Sequence, residues 1–184
     1  ARAVEEHCPL YPPPGALGAC QDRLVEKSLM DELGIAVGGY HAVSGRADLL
    51  EGIARLGYPA VLKTRRFGYD GKGQAVLRDG EDLERAWQRL GDEPLILEAF
   101  IPFEAECSLI GVRGHDGETR FWPLTRNVHD DGILALSRPG GFDAGLQAAA
   151  ELTMHRLMDH LDYRGVMTIE FFLREGRLLV NEVA

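Results

Sequence analysis

The chain has 184 residues, of which 45% are hydrophobic and 27% are charged. This composition excludes a disordered, collagen-like or coiled-coil chain and fits one domain or two small lobes. The formal net charge of −9 indicates a poor general binder of nucleic acid or of anionic membranes, although a local basic loop can still bind a nucleotide. No apolar run approaches the ~18 residues of a membrane span, and no signal-peptide pattern is present.

Two further features concern the cell compartment and the extent of the chain. The three cysteines, Cys8, Cys20 and Cys107, are widely and irregularly spaced, which predicts neither a disulfide framework nor a metal knuckle. Reduced thiols are typical of the cytoplasm, where we expect the protein to be located. The sequence begins at Ala1 and stops at Ala184, just inside a predicted strand end. We therefore expect a piece of a longer protein.

The first half of the chain alternates helical and extended patterns. Residues 1–15 contain four prolines and predict an extended lead-in. Helical periodicity follows over residues 16–33, with Gly34 as a natural stop, and again over residues 46–56. Strands are predicted at 58–63 and 74–77, then a helix at 81–90 and a buried-type strand at 95–98.

The second half is dominated by predicted hairpins. Residues 105–112 and 119–124 flank a turn at 115–117, and residues 125–142 are predicted to be rich in loops. Asp143 is a suitable cap for a long helix that runs to about residue 160. Residues 166–173 and 178–182 predict a closing hairpin around Glu175 and Gly176. Antiparallel strands mixed with helices indicate the α+β class.

A glycine-rich segment lies between two predicted strands, with the sequence Gly68-Tyr69-Asp70-Gly71-Lys72-Gly73-Gln74. Its glycines let the backbone approach a ligand closely, and free backbone N–H groups with Lys72 can hold phosphate oxygens. Lys63, Arg65 and Arg66 precede it, so four cations lie within ten residues of an acidic chain, which favours a polyanionic ligand. The alternative is a hairpin tip with solvated charges, because the segment is neither a P-loop nor a dinucleotide fingerprint.

Residues 61–66, followed by residues 68–74, resemble the ATP-grasp family. Three other stretches share the resemblance: Gln21-Asp22-Arg23 with Glu26-Lys27, then Pro123-Leu124 with Asn127, His129, Asp130, Gly132, Ile133 and Leu134, then Asn181-Glu182-Val183-Ala184. The resemblance extends from about residue 21 to the end. It implies an α+β ATP-grasp fold with a lead-in and entry helix at 1–36, a small lobe at 37–100, and a larger antiparallel-sheet lobe at 101–184.

The resemblance also implies a nucleotide site. Lys63 and Lys72 are expected to contact ATP phosphates and to act in catalysis, and Lys63 is expected to serve the ligand more than the stability of the fold. Glu98 would accept a hydrogen bond from the exocyclic amine of adenine, and Glu106 would bind the ribose. The remaining expected ATP-binding residues are Arg23, Gly68, Tyr69, Asp70, Gly71, Gly73, Gln74, Ala99, Phe100, Ile101, His129, Asn181 and Glu182.

Within this family, the chain is particularly similar to ligases of purine biosynthesis that carboxylate aminoimidazole ribonucleotide. That similarity implies ATP and Mg²⁺ as cofactors, bicarbonate and aminoimidazole ribonucleotide as substrates, carboxyphosphate as the intermediate and a possible homodimer, without nucleic-acid or membrane partners. Two alternatives stay open: another ATP-grasp carboxylase or amine ligase, and a nucleotide-binding fragment without turnover.

A metal site at Glu170 and Glu182 is implied by the resemblance and can be examined through the register of the closing hairpin. A three-residue loop, Glu175 to Arg177, would place Glu170 directly opposite Glu182, where a hard cation would relieve the repulsion between like charges. A two-residue turn would instead place Glu170 opposite Asn181 and turn Glu182 to the other face. We expect the first arrangement.

Overall fold

The computed structural model describes residues 1–67, 73–130 and 132–184. The helices are α1 (Arg2–Glu5), α2 (Pro14–Cys20), α3 (Arg23–Glu32), α4 (Arg46–Leu56), α5 (Gly80–Leu90) and α6 (Ala144–His160). The strands are β1 (Tyr40–Val43), β2 (Ala60–Thr64), β3 (Gln74–Leu77), β4 (Leu95–Ala99), β5 (Ala105–Arg113), β6 (Thr119–Phe121), β7 (Thr125–Asp130), β8 (Ile133–Pro139), β9 (Gly165–Arg174) and β10 (Arg177–Val183).

The described residues divide into two compact units. The larger unit contains Ala1–Val37, Phe103–Asp130 and Leu134–Ala184, and the smaller unit contains the described part of Gly38–Pro102 with Gly132 and Ile133. The first 37 residues thus group with the larger unit. Across the described residues, no helix is both long and apolar enough to cross a membrane.

The smaller unit is a four-stranded sheet in the order β1-β4-β2-β3. Strand β4 pairs antiparallel with β1 and β2, and β2 pairs antiparallel with β3. Helices α4 and α5 supply the apolar side chains that cover the sheet, and the buried cluster includes Val43, Leu49, Leu62, Leu83 and Leu97. This packing fixes β2 beside β4, which is the pairing that matters for the candidate site.

The larger unit is a six-stranded sheet in the order β10-β9-β5-β7-β8, with β6 paired to β5. Alternate residues of β9, such as Met167, Ile169 and Phe171, pack into a buried cluster with Met154 and Leu157 of α6. Because side chains alternate along a strand, the residues between them lie on the opposite face of the sheet. That opposite face carries most of the polar side chains considered below.

The predicted helix over residues 16–33 is in fact two helices. Asp22 has an extended backbone (φ −127°) and its Oδ1 accepts hydrogen bonds from the amides of Leu24 and Val25 at 3.1 and 3.5 Å. A side chain that satisfies the first free N–H groups of a helix defines a new start, so α2 ends at Cys20 and α3 begins at Arg23. The predicted stop at Gly34 is confirmed by its positive φ of 64°.

Two further predictions about elements were wrong. The lead-in over residues 1–15 contains the short helix α1 and the start of α2. Residues 125–142 contain the strands β7 and β8 and not mainly loops. Strand β8 is exposed along its whole length, so it lacks the apolar and polar alternation by which a half-buried strand is predicted.

Candidate functional site

The closing hairpin places Glu170 directly opposite Glu182, as predicted, but through a different turn. Arg174 pairs with Arg177, so the turn has two residues, and the predicted three-residue loop was wrong. A two-residue turn alone would pair Glu170 with Asn181. A register shift between Val180 and Glu182 leaves Asn181 as an extra residue and restores the Glu170–Glu182 pairing. Such a β-bulge re-aims the side chains that follow it.

The electrostatic environment of Glu170 is dominated by burial and by like charge. Burial raises the pKa of the Glu170 carboxyl, and the negative charge of Glu182 raises it further. His129 and a hydrogen bond from Asn181 lower this pKa, whereas Glu106 raises it. Three carboxylates therefore influence one another on one face of the sheet, and a bound cation would relieve their repulsion.

The donor set suits a hard cation that takes part of its coordination from a substrate. Among residues 1–67, 73–130 and 132–184, no group of three or more His, Cys, Asp or Glu side chains is placed to hold a metal ion alone. Mg²⁺ usually takes one or two carboxylates and completes its shell with phosphates and water. Glu170 and Glu182 supply two carboxylates, so the residues present fit Mg²⁺ as a partner of a phosphate ligand.

Next to this pair, β5 and β7 bring Glu106 and His129 together. Glu106 Oε2 lies 2.5 Å from His129 Nδ1, and both side chains are about one quarter exposed. The imidazole and the carboxylate therefore orient each other while still reaching solvent. This accessible, oriented carboxylate is of the type that can accept hydrogen bonds from sugar hydroxyl groups.

A buried hydrogen-bond chain beside these residues was not predicted to form part of the site. The amide of Asn127 donates to Ser108 Oγ and accepts from Ser137 Oγ, each at 3.0 Å. Ser108 pairs in register with Glu170, so these hydrogen bonds connect Ser137 on β8 to the residue opposite Glu170. A sequence signal for this arrangement was available in the two-residue spacing of its members. Glu106 and Ser108 lie on one face of β5, and Asn127 and His129 lie on one face of β7.

The start of α3 approaches the acidic pair from the edge strand β10. Arg23 Nη2 lies 3.4 Å from Glu182 Oε2, with the glutamate side chain 42% exposed. Asn181 interacts with Glu170 through its side chain, and its backbone carbonyl accepts from Lys27 Nζ at 3.3 Å. The expected residues Arg23, Asn181 and Glu182 are thus close together in the larger unit.

The smaller unit contains the expected residues Lys63 and Glu98, which form an ion pair that was not predicted. Lys63 Nζ lies 2.9 Å from Glu98 Oε2, and the side chains are only 15% and 10% exposed. Glu98 pairs in register with Val61, two residues before Lys63, so the two charged residues are diagonal neighbours on β2 and β4. The prediction that Lys63 mainly serves a ligand did not include this carboxylate partner.

The other expected residues of the smaller unit lie at strand ends. Ala99 and Phe100 donate their backbone N–H groups to Gly39 and Pro59 at 2.8 and 3.3 Å, so the segment after Glu98 is anchored within its unit, and Ile101 follows it. Gln74 begins β3 opposite Lys63, next to Gly73. The expected phosphate-binding residues Gly68, Tyr69, Asp70, Gly71 and Lys72 lie outside the described residues.

Known proteins match this chain over nearly its whole length. The ATP-grasp domain family matches residues 28–184. The N5-carboxyaminoimidazole ribonucleotide synthase of Pseudomonas aeruginosa is 48% identical over 181 residues, which are 98% of this chain and 50% of that protein. The crystal structure of N5-carboxyaminoimidazole ribonucleotide synthetase from Thermus thermophilus is 47% identical with a TM-score of 0.93, over 100% of this chain and 50% of that one.

A third relative was solved with a nucleotide. N5-carboxyaminoimidazole synthetase from Staphylococcus aureus, complexed with ADP, is 32% identical with a TM-score of 0.86, over 92% of this chain and 45% of that one. This chain therefore spans about half the length of the relatives that it matches. The family match, together with the two antiparallel sheets and their helices, confirms the predicted α+β ATP-grasp fold: the chain belongs to the ATP-grasp family.

Proposed function

We propose that this chain binds ATP with Mg²⁺ and forms the nucleotide-binding part of a ligase that carboxylates aminoimidazole ribonucleotide with bicarbonate in purine biosynthesis. The observation that carries the proposal is the pairing of Glu170 with Glu182 in a chain of the ATP-grasp family. Relatives at 48% and 47% identity are named as enzymes that make N5-carboxyaminoimidazole ribonucleotide, which supports this substrate over those of other ATP-grasp ligases.

In this proposal the larger unit binds the metal and the sugar. Glu170 and Glu182 would supply carboxylate oxygens to Mg²⁺, with Asn181 and Arg23 beside them. Glu106, oriented by His129, would accept hydrogen bonds from the ribose hydroxyls. When bound, Mg²⁺ would neutralise phosphate charge and hold the transferred group in line.

The smaller unit would contact the phosphates and the base. An ammonium group has three donors, so Lys63 can donate to Glu98 and still present donors to a phosphate oxygen. Glu98, with the following residues Ala99 to Ile101, would face the adenine. The segment from Gly68 to Gln74, with Lys72, would add backbone and side-chain donors to the phosphates, where electrostatic stabilisation contributes most to catalysis.

The proposed reaction has two steps. A bicarbonate oxygen attacks the γ-phosphorus of ATP, the bond to the β-phosphate oxygen breaks, and ADP and carboxyphosphate form. The exocyclic amine of aminoimidazole ribonucleotide then attacks the carboxyl carbon, phosphate leaves, and the nitrogen loses a proton to give the carbamate. The residues of this chain would mainly bind and orient ATP in the first step, since phosphoryl transfer depends on positioning and charge stabilisation.

The experiment that tests this proposal measures ADP release by the purified protein with ATP, Mg²⁺, bicarbonate and aminoimidazole ribonucleotide. We expect release that requires both bicarbonate and the ribonucleotide. Replacing the ribonucleotide by biotin distinguishes another ATP-grasp carboxylase, and ATP binding without any turnover would identify a nucleotide-binding fragment. Sedimentation of the same sample tests the predicted homodimer.

A further inference from the structure

A pair of charged residues on α3 covers the edge of β10 at the bulge. Glu26 and Lys27 are each only 3% exposed, which is unusual for charged side chains. Lys27 Nζ donates to the carbonyl of Asn181 at 3.3 Å, and Glu26 Oε2 accepts from the amide of Val183 at 3.3 Å. These contacts lie on either side of Glu182.

The position of these contacts coincides with the register shift. Asn181 is the residue without a register partner between Val180 and Glu182, and a bulged residue loses part of the hydrogen bonding of the ladder. Lys27 supplies a donor to the carbonyl of that residue. Glu26 supplies an acceptor to the amide two residues later, so one turn of α3 holds the backbone at the bulge and on both sides of Glu182.

Without the bulge, the two-residue turn would have a different consequence for the acidic pair. The pairing of Arg174 with Arg177 would continue unshifted and would bring Asn181, not Glu182, opposite Glu170. A shift of one residue turns each following side chain to the other face of the sheet. Glu182 would then leave the face that carries Glu170.

We infer that Glu26 and Lys27 are positioning residues: they hold the bulge at Asn181 and so keep Glu182 opposite Glu170. This inference rests on the proposed function for its ligand, Mg²⁺ with ATP, but its structural part can be tested without a ligand. Neither residue would touch the metal or the nucleotide. They would act through the backbone of Asn181 and Val183, as residues behind metal ligands often do.

The first test compares ATP binding by calorimetry with and without Mg²⁺ in Lys27→Met and in the unchanged chain. The gain in ATP affinity that Mg²⁺ provides should fall by about tenfold or more, the range for residues that orient metal ligands, while affinity without Mg²⁺ should stay unchanged. Lys27→Arg keeps a donor for the Asn181 carbonyl and should restore most of the gain. An undiminished gain in folded Lys27→Met would overturn the inference.

A matched control separates positioning from a general loss of stability. Arg113→Met removes another little-exposed cation of the larger unit, which pairs with Asp159 at 2.6 Å near the opposite end of β5. This variant should keep the full Mg²⁺ gain. If Lys27→Met does not fold, Glu26→Ala provides the same test through Val183, and a full gain in that variant would equally contradict the inference.

The second test does not depend on nucleotide binding. The backbone amide of Val183 donates to Glu26, and Lys27 does not contact this amide but donates to the carbonyl of Asn181. If Lys27 holds the bulge, it should still protect the Val183 amide from hydrogen exchange. Amide exchange measured by NMR should therefore be faster at Val183 in Lys27→Met than in Arg113→Met. If the unchanged chain shows no Mg²⁺-dependent ATP binding, the proposed function fails. In that case hydrogen exchange at the Val183 amide alone tests the inference. Faster exchange in Lys27→Met supports the inference, and unchanged exchange overturns it.

Discussion

The Lys63–Glu98 pair of the smaller unit and the Glu170–Glu182 pair of the larger unit combine charges in opposite ways. In the smaller unit, Glu98 lies 2.9 Å from the ammonium group of Lys63, so a buried carboxylate and a cation neutralise each other within the protein. In the larger unit, Glu170 lies opposite another carboxylate, Glu182, and the pKa of Glu170 is raised by burial and by that neighbouring charge.

This difference indicates which charges are balanced within the protein and which require a bound cation for their balance. A pair of opposite charges is neutralised without any other molecule. Removing one partner leaves the other charge buried and unpaired, which destabilises the fold. Two opposed like charges cost stability, and they gain a favourable interaction when a cation arrives. The comparison therefore predicts opposite effects on stability when a charge is removed from each unit.

The largest expected effect is in the smaller unit. Lys63→Met removes the ammonium group beside the buried Glu98 carboxylate, and breaking a buried ion pair costs about 3–5 kcal/mol of unfolding free energy. Chemical denaturation of the purified variant measures this loss. The double variant Lys63→Met with Glu98→Gln should recover part of it, because no buried charge remains.

The control for that prediction is an exposed ion pair of the same unit. Arg46 and Glu84 also form a salt bridge, but their side chains are 49% and 48% exposed. Glu84→Gln should therefore cost less than about 1 kcal/mol. An equally small loss in Lys63→Met would show that the Lys63–Glu98 pair does not stabilise the fold, and the comparison of the two units would fail.

A second prediction concerns the pH dependence of stability in the larger unit. Burial, more than any other cause, raises the pKa of Glu26 from 4.5 to about 8, although Lys27 and the Val183 amide lower it. Between these pH values the unfolded chain ionises Glu26 and the folded chain does not. The unfolding free energy should therefore fall as the pH rises, by up to about 1.4 kcal/mol per pH unit from this group.

The Glu26→Gln variant isolates that contribution. The difference in unfolding free energy between this variant and the unchanged chain should grow from about pH 4.5 to about pH 8 and then stay constant. Glu81→Gln, whose side chain is 86% exposed, should show no such trend. Parallel pH profiles for Glu26→Gln and the unchanged chain would mean that Glu26 ionises normally in the folded state.

At the acidic pair Glu170–Glu182, removing a charge is expected to raise the unfolding free energy slightly, whereas Lys63→Met is expected to lower it. Glu170→Gln removes one of two like charges that lie directly opposite each other, so without ligand it should raise the unfolding free energy at pH 7 by up to about 1 kcal/mol. Thermal unfolding without nucleotide or metal measures this gain. A marked loss of stability would mean that Glu170 serves the fold, as Glu98 does.

The smallest effect is expected in the neutral hydrogen-bond chain beside that pair. Ser137→Ala removes the hydroxyl that donates to Asn127 at 3.0 Å, and β8 is exposed, so water can replace the lost donor. Denaturation should show a loss of about 0.5 kcal/mol. A loss as large as that of a buried charge would mean that the chain of Asn127 and Ser108 organises the whole polar face.

Local signals in the sequence predicted the three long helices α4, α5 and α6 and the position of the last hairpin, although not its turn. Asp143 was expected to cap the long helix, and its Oδ1 accepts from the amide of Leu146 at 2.9 Å. Gly34 was expected to end a helix and does so. Helical periodicity continued past Asp22, however, and concealed the start that this residue gives to α3. Strand β8 has exposed Ile133, Leu134 and Leu136, so no alternation marked it.

Two features of the candidate site could not be predicted from the local sequence. Glu170 and Glu182 were expected to face each other, and they do, but by a bulge at Asn181 and not by the predicted loop. Nothing in the local sequence distinguishes these two routes, because the bulge depends on contacts with α3, far away in the chain. The Lys63–Glu98 pair was missed for a similar reason: it requires β2 beside β4, and that neighbour relation follows from the sheet order.

The most direct test of the central claim is the effect of Mg²⁺ on ATP affinity when both opposed carboxylates are removed. Calorimetry should show that Mg²⁺ strengthens ATP binding to the unchanged chain, and that Glu170→Gln with Glu182→Gln reduces this gain by about tenfold or more while leaving Mg²⁺-free binding intact. Glu175→Gln, at the exposed turn of the same hairpin, should behave as the unchanged chain does. An equal Mg²⁺ gain in the double variant would contradict the account.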